Sequence, residues 1–403
     1  MNKTIFLLLT LCLIFVMPLL GSLTRWGDLP PGYGDFPAQK TVEDPGFSLI
    51  YFCLGVLLVS AITLVYVCPK LFGFKRPPAA DRPASSSRDE STSSVSYPAW
   101  FWWSLPVLGV SWFIMWGRLE LTALLEPYTF VPLWWSFILI LDGIVYKRNG
   151  GVSLISSRPS VMQLLGIVSC FSWFAFEYLN FFVLENWYYP NSNILTDFGN
   201  IFWFSLSYTT VLPAIIEWYH LLQTIPLMRN RYSYGPKVSV SRRTVMWFYG
   251  LGIALAFGMG YFPFLLFWVL WVALVPLLAA AMSLNGYWTP MTPIQRGNWS
   301  PILLIGLATL CNGFFWEFWN FGSEWFHDDV PTNPNYWKYS VPYLDKFHLF
   351  SEMPILGYYG YLFFGVNCWM IWLAAAYTFK FDASFELRPV RSVEPDLEPV
   401  QSK

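Results

Sequence analysis

The feature that most constrains this chain is a series of long apolar runs. A helix needs about 20 apolar residues to cross about 30 Å of hydrocarbon. Open strand edges would leave backbone groups unpaired in lipid, so these runs are read as helices. The sequence therefore predicts an all-α polytopic bundle of nine or ten spans. The candidates lie near 4–20, 47–68, 98–117, 128–146, 160–183, 200–227, 244–259, 262–282, 301–321 and 353–379.

Composition supports a bilayer environment and excludes several classes of function. Charged residues make up 12% of the 403 residues, whereas a soluble domain has about 25%. The net charge of −1 gives no basis for nucleic-acid binding. The six cysteines form no C-x-x-C pair, and three histidines are too few for a multi-histidine iron centre. We therefore expect no metal and no cofactor, and the expected partners are the bilayer and a lipid-like small molecule.

Basic residues are concentrated in alternate loops. With a cytoplasmic N-terminus, all but five of the 24 lysines and arginines lie on the cytoplasmic side. The positive-inside rule therefore predicts that both termini are cytoplasmic. The five exceptions are Arg25, Lys40, Arg118, Lys338 and Lys346.

The segments outside the main bundle are predicted from composition. Residues 1–68 form a signal-anchor or signal peptide plus one span, and no small-x-small cleavage site follows Leu20. An uncleaved first helix is preferred, and cleavage would leave nine spans. The sequence further predicts a flexible cytoplasmic linker at 69–97, a basic cytoplasmic loop at 228–243 and a disordered cytoplasmic tail at 380–403.

Two parts of the chain resemble each other at an offset of 140 or 141 residues. This match predicts two four-helix repeats, 98–227 and 244–379. Because each holds an even number of spans, the repeats run parallel, an arrangement that transporters also use but that does not decide function. The matched pairs are Glu177 and Glu317, Asn180 and Asn320, Cys170 and Cys311, and Pro213 and Pro354.

Carboxylates within spans are expensive to bury and are functional candidates by default. Each of Glu177 and Glu317 shares a helix face with the asparagine three residues later. Both pairs are predicted near the extracytoplasmic end, where Glu352 would start the last helix. The alternative is structural, with helix-bridging hydrogen bonds and an interfacial tryptophan belt. The candidate ligand-binding or proton-handling residues are Glu177, Asn180, Glu317, Asn320, Glu352, Trp173, Trp316 and Trp319.

Two further groups of polar residues are weaker candidates. Asp142, Glu217 and His220 could form the cytoplasmic half of a proton path, or the carboxylates could pair with Lys147 or Arg229. The loop 322–346 carries metal-ligand types in Glu324, His327, Asp328 and Asp329. A di-iron site needs Glu-x-x-His on two helices, and it occurs once here, so a solvated acidic loop is the preferred interpretation.

The last third of the chain resembles a family of bacterial polytopic membrane proteins. The resemblance rests on three stretches: Trp316-Glu317-Phe318-Trp319-Asn320, Trp337-Lys338-Tyr339-Ser340-Val341-Pro342-Tyr343, and the run from Glu352-Met353-Pro354 to Gly360-Tyr361. The first and the last carry the family's patterns. These match W-E-x-W-N and E-M-P-x-x-G-Y-x-G-Y patterns. The resemblance implies a bacterial inner-membrane location but no activity, cofactor or catalytic residue.

The leading hypothesis is an aromatic, carboxylate-lined cavity toward the extracytoplasmic side that binds an apolar or lipid-like ligand. Three alternatives are a proton-coupled transporter, a membrane enzyme acting on a lipid or isoprenoid, and a non-catalytic complex subunit or scaffold. No hydrolase, zinc-protease or phosphate-loop motif is present, so the sequence does not decide whether the protein is an enzyme.

Overall fold

A computed structural model describes residues 2–76, 78, 95–325 and 331–387. This part of the chain forms thirteen α-helices and one short two-stranded sheet. The helices are α1 (Lys3–Trp26), α2 (Leu49–Val67), α3 (Ala99–Gly117), α4 (Phe130–Arg148), α5 (Leu154–Ser157), α6 (Pro159–Phe181), α7 (Asp197–Tyr208), α8 (Val211–Gln223), α9 (Pro226–Arg229), α10 (Arg242–Tyr261), α11 (Leu274–Leu284), α12 (Ser300–Trp325) and α13 (Gly360–Phe379). The strands are β1 (Trp187–Tyr188) and β2 (Lys338–Tyr339).

The helices form a multi-pass bundle of the predicted all-α class. Nine helical segments among the described residues are long and apolar enough to cross a membrane. The main packing partners are α3 with α4, α1 with α10, and α12 with both α8 and α13. The core between them is largely aromatic, with Trp134, Trp319 and Trp372 fully buried.

The predicted span at 262–282 differs from the structure. After α10, residues 262–273 are irregular apart from a short 3-10 helix at Phe267–Trp271, and α11 has only 11 residues. A run of high hydropathy does not distinguish a helix from irregular backbone that is covered by protein, and Pro263 and Pro276 disfavour one continuous helix. The irregular segment instead contributes Phe267 and Trp271 to the interior of the bundle.

Two other predicted spans are shorter or interrupted. The run 200–227 is divided into α7 and α8 at Thr209 and Thr210. The last helix begins at Gly360 rather than at residue 353, so Glu352 lies in the irregular segment before it. Pro354 removes a backbone donor at this point, and a 3-10 turn over Gly357–Tyr359 leads into α13.

The first helix is an integral part of the bundle. A Cβ at Gly21 would overlap the carbonyl oxygen of Phe257, and a Cβ at Gly260 would overlap that of Pro18. Two glycines therefore let α1 and α10 approach backbone to backbone, as is common between membrane helices. By contrast, α2 has no buried residue and lies at the edge of the bundle.

Several predicted features lie wholly or partly outside the described residues. Most of the predicted linker and most of the predicted C-terminal tail belong to this group. His327, Asp328 and Asp329 do so as well. The predictions made for these residues therefore stay predictions.

Candidate functional site

The first candidate carboxylate, Glu177, is a hydrogen-bond acceptor for four aromatic side chains. Its Oε1 accepts from Trp173 Nε1 at 2.9 Å, Trp187 Nε1 at 3.1 Å, Tyr189 OH at 2.7 Å and Tyr208 OH at 3.0 Å. Glu177 is 4% exposed, and its Oε2 has no hydrogen-bond partner among the described residues. These five residues are called the Glu177 cluster below.

The second carboxylate, Glu317, is bound in a similar way. Its Oε1 accepts from Tyr339 OH and Tyr361 OH, each at 2.6 Å. Trp337 Nε1 donates to the Tyr339 hydroxyl at 2.7 Å rather than to the carboxylate. The Oε2 of Glu317 is buried and, in the described part of the chain, has no hydrogen-bond partner. These four residues form the Glu317 cluster.

The two predicted asparagines hold the backbone that carries the aromatic donors. Asn180 Nδ2 donates to the carbonyl oxygen of Trp187 at 2.8 Å, and Asn320 Nδ2 donates to that of Trp337 at 2.8 Å. Asn320 also accepts from the Trp337 backbone N–H at 3.0 Å. Each Glu-x-x-Asn pair thus binds the Trp-x-Tyr segment that follows its helix.

The two Trp-x-Tyr segments meet as the only sheet of the described residues. Strands β1 and β2 are antiparallel, with Trp187 opposite Tyr339 and Tyr188 opposite Lys338. Since each strand follows the helix that carries its glutamate, the two clusters lie at the same end of the bundle. We call this the strand end.

A small cavity separates the two clusters. It has a volume of about 80 Å³, and tyrosines of both clusters line it: Tyr189 and Tyr208 on one side, Tyr339 and Tyr361 on the other. Five tryptophans complete most of the wall, namely Trp173, Trp187, Trp271, Trp316 and Trp337. We call this space the central cavity. The sequence placed Trp173 and Trp316 at the site, and both line the cavity.

The tyrosine hydroxyls act as donors toward the carboxylates. Burial, reinforced by the neighbouring Glu317, raises the pKa of the Tyr339 phenol well above its usual value. Burial and the neighbouring Glu177 raise the pKa of Tyr189 in the same direction. Both phenols therefore stay protonated at physiological pH and donate hydrogen bonds to the glutamates.

A second, larger space adjoins the central cavity. It has a volume of about 320 Å³ and lies between α2 and the segments that lead into α13. Gly55, Leu58, Val59 and Ile62 of α2 line it, as do Phe267, Leu356 and Gly360. Trp271, Tyr339, Met353 and Tyr361 line both spaces. We call it the lateral groove, and it is almost entirely apolar.

Of the eight predicted site residues, only Trp173 and Trp316 line the central cavity. The two glutamate–asparagine pairs lie behind the aromatic wall, so aromatic side chains rather than carboxylates form the lining. The other two predicted residues, Trp319 and Glu352, lie elsewhere. Trp319 packs edge-on against Trp134 and Phe137, with ring centroids 5.0 Å from each, inside the hydrophobic core. Glu352 accepts a hydrogen bond from Tyr336 OH at 3.1 Å, and it is the neighbouring Met353 that reaches the cavity.

The second predicted set lies near the opposite end of the bundle. Asp142 accepts from Trp100 Nε1 at 3.0 Å, Ser153 Oγ at 2.8 Å and the Ile155 backbone N–H at 3.1 Å. These contacts tie α4 to the segment around α5. The predicted pairing of the carboxylates with Lys147 or Arg229 is not among the ion pairs of the described residues, and the Lys147 ammonium instead lies 4.1 Å from the Tyr97 ring centroid.

Glu217 and His220 are completely or almost completely buried. His220 Nδ1 lies 4.0 Å from Glu217 Oε2, and His220 Nε2 lies 2.8 Å from the Phe385 carbonyl oxygen. The segment 381–387 thus packs against this end of α8. Neither residue lines the central cavity or the lateral groove.

The described residues of the loop 322–346 form hydrogen bonds and ion pairs. Glu324 pairs with Arg118 at 3.0 Å and accepts from Asn191 Nδ2 at 2.8 Å. Within the described ranges, no three histidine, cysteine, aspartate or glutamate side chains lie close enough together to hold a metal ion.

Sequence reasoning missed the tyrosines and the Trp-x-Tyr segments. Trp187-Tyr188-Tyr189 and Trp337-Lys338-Tyr339 are 150 residues apart, whereas their glutamates are 140 apart. A search at one fixed offset overlooks this pair because the second repeat has ten more residues between its glutamate and its Trp-x-Tyr segment. The repeated Trp-x-Tyr pattern is the signal that could have revealed it.

Comparisons with protein-family models, with curated proteins and with solved structures gave no match to this chain.

Proposed function

We propose that this protein binds a lipid-like ligand, with its apolar chain in the lateral groove and its other end in the central cavity. The observation that carries the proposal is that four residues, Trp271, Tyr339, Met353 and Tyr361, line both spaces. A mostly apolar pocket with a few fixed polar groups is typical of small-molecule sites. Of the functions that the sequence left open, ligand binding has the most support from these contacts.

The position of α2 supports entry from the bilayer. This helix forms one wall of the groove, yet none of its residues is buried. Leu54 and Leu57 are 60% and 68% exposed, as expected for a helix whose outer face contacts lipid. A ligand that is already dissolved in the bilayer could therefore reach the groove beside α2 without crossing water.

The proposed orientation places the strand end on the extracytoplasmic side of a bacterial inner membrane. The support is the distribution of basic residues. Arg148, Arg158 and Arg231 lie at the opposite end, where Arg148 bonds to Thr224 and Arg231 to the carbonyl oxygens at the end of α2. The positive-inside rule assigns such an end to the cytoplasm.

The test is to fill the groove and count the retained lipid. Apart from its chain neighbours and the backbone of its own helix, no heavy atom lies within 4 Å of the position that a Cβ on Gly360 would take. Gly360→Leu therefore adds bulk to the groove without a clash against another backbone segment. Gly250 in α10 has equally open surroundings but lies outside both spaces, so Gly250→Leu is the matched control. Native mass spectrometry of protein purified from membranes gives the number of bound lipids.

We expect the parent protein and Gly250→Leu to retain a lipid adduct and Gly360→Leu to lose most of it. An absence of any adduct on the parent protein, or an equal adduct on Gly360→Leu, would contradict the proposed function.

A further inference from the structure

We infer that the ligand carries an alkylammonium cation and that the central cavity holds it between the Glu177 and Glu317 clusters. This inference rests on the proposed function, which it narrows to one class of head group. Three observations support it. Aromatic rings line the cavity, two carboxylates without a cation lie behind these rings, and the nearby hydrogen-bond donors point toward the carboxylates.

The wall of the cavity is built from rings. Five tryptophans and four tyrosines line it, together with Phe130 and Phe364. The faces of such rings carry partial negative charge and attract organic cations, and cages of them recognise quaternary ammonium groups. A quaternary ammonium group has no N–H, so it does not need the hydrogen-bond acceptors that a primary amine would require.

The carboxylates behind the wall lack a cation. Buried carboxylates are normally paired with a positive group. Within the described part of the chain, neither Glu177 nor Glu317 is in an ion pair, and each has one oxygen without a hydrogen-bond partner. A cationic head group in the cavity would stand on the far side of the tyrosines from both carboxylates. It would supply the missing positive charge to both.

The hydrogen bonds around the cavity disfavour an anion. The hydroxyls of Tyr189, Tyr208, Tyr339 and Tyr361 all donate to the two glutamates. The indole N–H groups of Trp173 and Trp187 donate to Glu177, and that of Trp337 donates to Tyr339. Because these donors are already used, they are not directed at a ligand. A phosphate or carboxylate in the cavity would find none of these seven donors free.

The dimensions assign the head group and the chain to different spaces. The central cavity, at about 80 Å³, suits a compact group, whereas the groove, at about 320 Å³, suits an alkyl chain. The shared residues Tyr339 and Tyr361 stand at the junction. A single-chain ammonium amphiphile would therefore fill both spaces, with its charge between the clusters.

The experiment compares two probes that differ only in charge. The cationic probe is dodecyltrimethylammonium, and the neutral probe is its uncharged isostere, in which a carbon atom replaces the nitrogen. Binding of each to the full-length protein in maltoside micelles is measured by native mass spectrometry. We expect the cation to bind about tenfold more tightly than the isostere. We expect Glu177→Gln combined with Glu317→Gln to abolish this preference.

Two further variants make the result specific. Glu217→Gln removes a buried carboxyl that lies outside the cavity, so it should keep the tenfold preference. Trp316→Leu removes a ring from the wall without touching either carboxylate, so it should reduce the preference even if the double glutamine variant does not fold.

The outcomes separate this inference from the proposed function. Equal binding of both probes, blocked by Gly360→Leu, would refute the cation while leaving the lipid site in place. Failure of either probe and of any lipid to bind would refute both. A preference that persists in the folded double glutamine variant would also overturn the inference.

Discussion

The Glu177 and Glu317 clusters both consist of a glutamate and aromatic hydrogen-bond donors, but they differ in how many donors bind the carboxylate. Four donors converge on Glu177, whereas only two tyrosines bond directly to Glu317. The tyrosines of the Glu317 cluster line both the central cavity and the lateral groove, whereas Tyr189 and Tyr208 line the central cavity alone. If the protein has the proposed function, this difference predicts a division of roles, in which Glu177 mainly stabilises the fold and the Glu317 cluster makes most of the ligand contacts.

The largest difference is expected when each glutamate is replaced by leucine. Glu177→Leu leaves four buried donors without their acceptor, and Glu317→Leu leaves two. An unsatisfied buried donor costs about 1–3 kcal/mol, and Glu177→Leu leaves two more of them. It should therefore lower the free energy of unfolding by about 2–6 kcal/mol more than Glu317→Leu does. Unfolding in detergent, measured by steric trapping, tests this. Equal losses in the two variants would remove the proposed division of roles.

A pH dependence is expected from the loop beside the Glu177 cluster. Glu185 is buried and accepts from Thr41 Oγ1 at 2.9 Å, and burial raises the pKa of its carboxyl to about 7. Between its ordinary value of 4.5 and about 7, the folded group holds a proton that the unfolded group has lost. Stability should therefore be highest at low pH and fall as the pH rises through this window, by about 2 kcal/mol or less.

Thermal melts at intervals between pH 5 and pH 8 measure this effect. Glu185→Gln should flatten the dependence across the window. A parent protein that becomes more stable as the pH rises from 5 to 7 would contradict the assignment.

A smaller difference is expected between the two asparagines. Asn320 bonds to both the carbonyl oxygen and the N–H of Trp337, whereas Asn180 Nδ2 bonds to the Trp187 carbonyl oxygen and its Oδ1 has no described partner. Because one such bond contributes about 0.5–1.5 kcal/mol, Asn320→Ala should be more destabilising than Asn180→Ala by about 1 kcal/mol. The same unfolding measurement applies, and the reverse order would show that Oδ1 of Asn180 has an unrecognised role.

The smallest effect concerns single hydroxyls. Tyr339→Phe should weaken lipid retention about threefold. It removes the hydrogen bond that holds Tyr339 at the junction of cavity and groove, and one such bond contributes about 0.5–1.5 kcal/mol. Tyr189→Phe serves as the matched variant in the other cluster and should change retention less. Competition between labelled and unlabelled lipid gives both values. A larger effect of Tyr189→Phe would assign ligand contact to the Glu177 cluster.

The sequence predicted the helical architecture and the two glutamate–asparagine pairs because both depend on local patterns. Hydropathy over about 20 residues identifies spans, and a spacing of three places Glu177 and Asn180 on one face. It did not predict the aromatic donors Tyr208 and Tyr361, since these come from other helices. Nor could hydropathy reveal that 262–273 is irregular, because a buried loop and a buried helix are equally apolar.

The predicted duplication remains a prediction, now with more support. The hydrogen bonds of Glu177, Asn180 and Trp187 correspond to those of Glu317, Asn320 and Trp337. Beside the differences in bond number described above, the tryptophan N–H has a different target, which is the carboxylate in the first half and Tyr339 in the second. A parallel repeat about an axis along the membrane normal would place its axis between Tyr188 and Lys338, which face each other in the sheet.

The most direct test of the account is a disulfide crosslink between β1 and β2. Tyr188→Cys and Lys338→Cys are introduced together into a variant without the six native cysteines, and the protein is oxidised in membranes. Facing residues of an antiparallel pair have Cα atoms about 4.5–5.5 Å apart, within the reach of a disulfide. The account predicts efficient crosslinking within one chain, and neither single variant should crosslink. If the two cysteines fail to crosslink and react with impermeant reagents from opposite sides of the membrane, the two clusters do not share a cavity.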